Sequence, residues 1–221
     1  MTVREILATL KKLGKPQTAA IYKRFGSGEN VFGTLTSEIG KLQKKIKIDD
    51  ELAAQLWETG NAEARILALL ISDPAALTRA RAEELLRDEQ AHFLGFYLSG
   101  LVARSPIAGE TMRAWMKAQD ELHLEIGYGA VTACLKRDGD SIGEAEAGEI
   151  LAVIEAEIHR SPNWARHAMN SALISIGVHK PALHGRAIEA ARRIGKVEVD
   201  YGETNCKTPD AVRKLAVADV D

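Results

Sequence analysis

The sequence predicts an all-α protein built of stacked antiparallel helix pairs, in the manner of a helical solenoid, and closed by a short irregular tail. Three observations carry this prediction. Ala and Leu abound, while aromatic residues make up 5% of the 221 and Val and Thr are sparse, a balance that favours helix over sheet. Apolar residues recur at three- and four-residue spacing, with almost no sustained alternation of the strand type. The periodic segments, most of them about 10 to 17 residues long, are separated by short breaks, as stacked helix pairs require. No strict sequence repeat accompanies this rhythm, so a compact irregular bundle is the alternative.

The elements follow in order. Residues 2–13 form a short amphipathic helix with Val3, Ile6, Leu7 and Leu10 on one stripe. Gly14-Lys15-Pro16 breaks it, and a second helix runs over 18–24. Phe25-Gly-Ser-Gly-Glu-Asn30 has the composition of a loop. Helices over 36–47, 50–57 (capped by Asp49 or Asp50) and 62–71 come next, and Ser72-Asp73-Pro74 stops the last of these. Further helices are expected over 78–88, 90–103, 108–118, 121–136, 144–159, 162–177 and 181–194. Ser161 is placed to cap a helix that has Pro162 at its first position. The stretch Asp140-Ser-Ile-Gly-Glu144 offers cap candidates and an acid for a first turn. Beyond Ile194-Gly195 the chain turns irregular: Val197 and Val199 alternate, Tyr201-Gly202 reads as a turn, and a short helix restarts after Pro209. The whole, residues 1–221, reads as a single domain whose tail from 195 packs on the body.

No apolar run approaches the ~18 residues of a spanning helix. The charged opening Met1–Lys15 is not a secretory signal. Cys134 and Cys206 are too few for a disulfide framework, so a cytoplasmic protein is the expectation. The net charge of −2 conceals strong segregation. Residues 1–47 hold ten Lys/Arg against three acids, and 48–159 hold nine against twenty-one. Residues 160–196 hold seven against one, and the remainder three against six. If the fold brings the two basic segments to one surface, an anion-binding face results despite the acidic total.

Four phrases resemble a known family: Tyr22-Lys-Arg-Phe-Gly-Ser-Gly-Glu-Asn30, Leu56-Trp-Glu-Thr-Gly-Asn-Ala-Glu-Ala-Arg65, Ala168-Met-Asn-Ser-Ala-Leu-Ile-Ser-Ile-Gly177 and Cys206-Lys-Thr-Pro-Asp-Ala211. They are similar to the AlkD-like DNA alkylation-repair family, and within it to a branch marked by the tail Val199-Asp-Tyr-Gly-Glu-Thr-Asn-Cys206. The resemblance implies a superhelix of HEAT-like repeats with a basic concave face that binds double-stranded DNA. It implies a glycosylase that releases N3- and N7-alkylated purines without a metal or other cofactor, acting as a monomer. Carried over residue by residue, it points to Tyr22, Lys23 and Arg24 for phosphate contacts, and to Trp164, Arg166 and Asn170 on a later helix. Arg166 and Asn170 lie four apart, on one helix face.

Where the family's enzymes carry Trp-x-x-x-Asp, this chain has Trp115 and Gln119, with Asp120 one step out of phase. Glu121 and Glu125 share a face at i, i+4, which makes Glu125 and Asp120 the two candidates for the catalytic acid. The leaving base is already cationic, so a carboxylate near the sugar is what a protein can add. The plainer alternatives are that Asp120 and Glu121 favour a helix start, that Trp57, Trp115 and Trp164 are core, and that Arg166 forms a surface ion pair. The six histidines show no HxxxH or HExxH spacing. An excision-inactive binding module, for DNA or for a protein partner, stands as the second class of function.

Overall fold

Polar side chains placed at helix starts punctuate the chain. Thr2 opens α1 (Val3–Leu13) with a capping box: its hydroxyl accepts from the Glu5 amide at 3.3 Å, and the Glu5 carboxylate accepts from the Thr2 amide at 2.9 Å. Asp49, Asn61 and Thr78 accept in the same way at the starts of α4 (Asp50–Glu58), α5 (Ala62–Ile71) and α6 (Arg79–Leu86). Between them lie α2 (Pro16–Arg24) and α3 (Thr36–Ile46), and α7 (Ala91–Ala103) follows. The second half carries α8 (Ala108–Trp115), α9 (Glu121–Arg137), α10 (Glu144–Glu157), α11 (Asn163–His179), α12 (His184–Ile194) and α13 (Ala211–Ala218).

The structure is a computed structural model that describes residues 1–88 and 91–218. Among the described residues there is no strand, and the fold is all-α. The expected helix start at Gln90 lies outside the described residues. Two compact units make up the chain: Met1–Pro106 with Gly202–Thr204, and Ile107–Tyr201 with the tail from Asn205 onward.

In the first unit α5 is the central helix. It is apolar nearly all round, packs against α1, α3, α4 and α7, and buries Ile66, Leu67, Leu69 and Ile71. Glu63, in its first turn, is completely buried. Its carboxylate accepts the backbone amides of Phe32, Gly33 and Thr34 at 2.5 to 3.1 Å, which ties the loop before α3 to α5. Gly33 is required there: its φ is +83°, and a Cβ would stand 2.1 Å from the Lys15 carbonyl oxygen.

In the second unit α9 and α11 form the most extensive helix pair, flanked by α8 on one and by α10, α12 and α13 on the other. Gly127 of α9 lets the end of α8 approach, since a Cβ would meet the Met116 amide at 2.8 Å. Trp115, Tyr128, Met169, Leu173 and Ile176 fill this core.

Some boundaries differ from the sequence reading. Pro16 does not separate two helices but opens α2 at its first position, where a missing N–H costs nothing. Pro162 is the N-cap of α11 rather than its first residue. Ser161 does not cap α11, because its hydroxyl donates back to the Glu157 carbonyl at 3.0 Å. A carboxylate from α9 takes over instead, Glu121 accepting the Trp164 amide at 2.6 Å. Gly143 precedes α10 with no side-chain cap, while Asp138 caps the single turn Gly139–Ser141.

Candidate nucleic-acid interface

In the first unit, the three residues expected to meet phosphate end α2. The Tyr22 hydroxyl donates to the Thr34 carbonyl at 3.0 Å, and its ring lies 5.2 Å from that of Phe93. Lys23 pairs with the exposed Glu29, and Arg24 donates to the Glu203 carbonyl at 2.8 Å. Tyr22 is therefore an anchored side chain, whereas Lys23 and Arg24 are surface cations whose partners are exposed. Tyr97, on α7, is held by burial, with some repulsion from Tyr22, at a pKa of about 12, so it stays a neutral phenol.

In the second unit, α11 carries Asn163, Trp164, Arg166, His167 and Asn170 in two turns, and the tail folds back over them. The Asn163 side chain clasps Asp200 twice, donating to its carbonyl at 2.8 Å and accepting its amide at 2.7 Å. Tyr201 then meets Trp164 and His167 edge-on, at 5.8 and 5.7 Å between ring centres, and its hydroxyl lies 2.9 Å from His167 Nδ1. Burial pushes the His167 imidazole below its usual range and the Tyr201 phenol above its own, although Thr208 hydrogen-bonds the phenol. Asn170 is 2% exposed and donates to the Pro209 carbonyl at 3.0 Å, so its amide holds the tail.

Between α11, the end of α12 and the returning tail lies a groove of about 1130 Å³. Arg166, Arg192, Lys207, Tyr201 and Cys206 line it. Among the described residues, the first three make no ion pair within 4 Å. The Arg166 Nε is sealed from solvent and has no hydrogen-bond acceptor. Three acids share the groove: Glu198 takes Lys196 at 2.8 Å and is also drawn by the Arg166 charge, Asp210 accepts the Arg213 amide at the start of α13, and Asp200 is the third.

The candidate acids sit at the start of α9. Asp120 is its N-cap, accepting the His123 amide at 3.1 Å and the His123 ring nitrogen at 2.7 Å. Burial works against ionisation of Asp120, but these bonds outweigh it and hold the carboxyl below its ordinary range. Glu125 lies one turn further on and is half-buried. Trp115 is 1% exposed, with its ring 5.7 Å from that of His123, so it is core. Trp57 is core as well, with the Arg65 guanidinium 5.1 Å above its ring and paired to Asp88 at 2.9 Å. Among the described residues no cluster of His, Cys, Asp and Glu could hold a metal ion.

The family model described as DNA alkylation repair enzyme matches residues 6–215. The chain belongs to this family. It is 28% identical to the protein Lin0241 of Listeria innocua and 27% identical to Lmo0209 of Listeria monocytogenes, over 99% of this chain and 97% of each relative. A solved structure superimposes with a TM-score of 0.87 at 28% identity, over 98% of this chain and 93% of that one. It represents a family of proteins related to the HEAT-like repeat DNA glycosylases with affinity for branched DNA structures. The stacked helix pairs are thus of the HEAT-like kind.

Sequence reasoning brought Trp164, Arg166 and Asn170 to one helix but missed the groove opposite them. Arg192, Tyr201 and Lys207 are far from Arg166 in sequence; the packing of α12 on α11 brings the first, and the folded-back tail the other two. The signal that existed was the length of the tail itself, since long irregular segments carry function disproportionately.

Proposed function

We propose that this chain is a DNA-binding protein of the alkylation-repair family that holds DNA through phosphate contacts from basic residues, and that it favours branched over simple duplex DNA. The observation that carries this reading is the cluster of Arg166, Arg192 and Lys207, which line one groove from three elements and, among the described residues, make no ion pair within 4 Å. The relative's affinity for branched DNA supports the preference. The test is a mobility-shift titration of duplexes of different sequence and of a four-way junction. Arg166→Ala should weaken binding to all sequences alike, because phosphate contacts position without reading bases. An unchanged affinity would overturn the reading.

Excision of N3- and N7-alkylated purines is the second reading, supported by the family to which the chain belongs. It rests on Glu125 ahead of Asp120, because Asp120 is engaged at the α9 cap and with His123. Glu125→Gln should lower release of alkylated base on the order of 10²- to 10³-fold, the usual loss when a preorganised stabiliser of developing charge is removed. Asp120→Asn should act less, and through the helix start. If the parent protein releases no base from DNA carrying N7- and N3-alkylpurines, excision is excluded and binding alone remains.

A further inference from the structure

The groove between α11 and the tail brings together side chains from elements far apart in sequence. It is bounded on one side by α11 and on the other by the chain from Gly195 to Val212, which Asn163, Asn170 and His167 pin in place. Its volume, about 1130 Å³, slightly exceeds the ~300–1,000 Å³ of small-molecule pockets. Its cations come from three separate elements, Arg166 from α11, Arg192 from α12 and Lys196 and Lys207 from the tail, and Glu198, Asp200 and Asp210 share the wall with them. Tyr201 adds an aromatic ring to the wall, and its two ring neighbours and its hydrogen bond to His167 fix its orientation.

Cations beside an aromatic side chain in a groove are the arrangement by which proteins track a single strand: cations follow the phosphates and the ring takes a base. A free phosphate or mononucleotide would share the chemistry of the Arg166 contact but would leave Arg192 and Lys207 without acceptors. We propose that this groove is a seat for an unpaired DNA strand, with phosphates of that strand on Arg192 and Lys207 and the phosphate where it leaves the duplex on Arg166. The proposal rests on the DNA-binding reading above and adds to it a site for the single-stranded arm of a branched or frayed substrate.

The two cysteines provide a direct test on the unaltered protein. Cys206 is exposed at the groove, whereas Cys134 is buried. A short oligothymidylate should slow alkylation of Cys206 by iodoacetamide, while a blunt duplex, inorganic phosphate or thymidine monophosphate at equal concentration should leave the rate unchanged. In parallel, Lys207→Ala and Arg192→Ala should each weaken binding of a duplex with a single-stranded arm by about tenfold, the usual loss of a charge-assisted hydrogen bond. Both should leave affinity for the blunt duplex of the same sequence intact. If Cys206 stays equally reactive with oligothymidylate bound, or if both variants weaken blunt and armed duplexes equally, the groove is not a strand seat and the DNA-binding reading stands without it. Protection by phosphate or the mononucleotide alone would reassign the groove to a small anion. If no DNA of any form binds, both readings fall together.

Discussion

Glu63 and Arg65 illustrate how a residue within a familiar phrase takes its meaning from burial. Both lie in the stretch Leu56–Arg65 that resembles the repair family, yet Glu63 holds three loop amides and Arg65 bridges Trp57 and Asp88. The phrase therefore reports scaffold. Replacing Glu63 by Ala would leave three backbone donors without an acceptor. Each net hydrogen bond to a charged group is worth about 1.5–3 kcal/mol, and strain shared among three bonds to one carboxylate reduces the sum. Glu63→Ala should cost roughly 3–5 kcal/mol in urea unfolding, in line with the cost of breaking a buried charge network. Glu63→Gln should fall between, since one oxygen still accepts. A loss below about 1 kcal/mol in the Ala variant would show that the loop finds other partners. Nothing at the sequence level marks Glu63, because an acid in the first turn of a helix is ordinarily a solvated residue favouring the dipole. Asp120 is the converse case: its place just before an apolar-periodic run made a helix-start role legible, though not the cap itself.

At the scale of elements, the helices were readable because their apolar stripes are local, whereas caps and contacts made by distant residues were not. The amide at the start of α11 is satisfied by Glu121, 43 positions earlier in sequence, a pairing that no window of residues reveals. The docking of the tail is equally non-local: α13 packs on α11 where Gly177 leaves room for Leu215, and Tyr201 closes over His167. This docking has a pH dependence whose sign follows from burial. His167 has its pKa lowered in the folded protein, while in the unfolded chain it titrates near the ordinary ~6.5. Between the lowered value and about 6.5 the unfolded state binds the extra proton, so stability is lost as pH falls through that window. His179, lowered by burial and by Lys136, acts in the same direction. The contribution of His167 is the part that disappears in His167→Gln. Between about pH 8 and pH 5.5, thermal unfolding of the parent should shift downward more than that of the variant. Equal shifts would mean that the imidazole is not held neutral by the fold.

At the scale of the whole molecule, the sequence separates charge into blocks, and its net value of −2 conceals them. The two-unit division left no trace in composition, for no Pro-, Gly- or Ser-rich linker stands near Pro106. What the blocks do foretell is the thermodynamics of association. A polyanion bound through phosphates releases condensed counterions, and log K then falls linearly with log salt, by about 0.9 per contact on duplex DNA. The acidic remainder of the chain contributes no such release, and its repulsion of DNA, screened as salt rises, flattens the line somewhat; the phosphate contacts still make affinity steeper in salt than a net charge of −2 suggests. We expect duplex affinity measured at several salt concentrations to fall steeply along a straight line on logarithmic axes. Arg166→Ala should lower both the affinity and the slope, the latter by about 1, because one phosphate contact is removed. A surface charge acting only through the general field would lower the affinity with little change of slope, since no individual counterion is displaced. A flat salt response in the parent would mean that the basic segments do not meet phosphate at all. The unpaired cations around α11 would then have to be matched to the acidic surface of a protein.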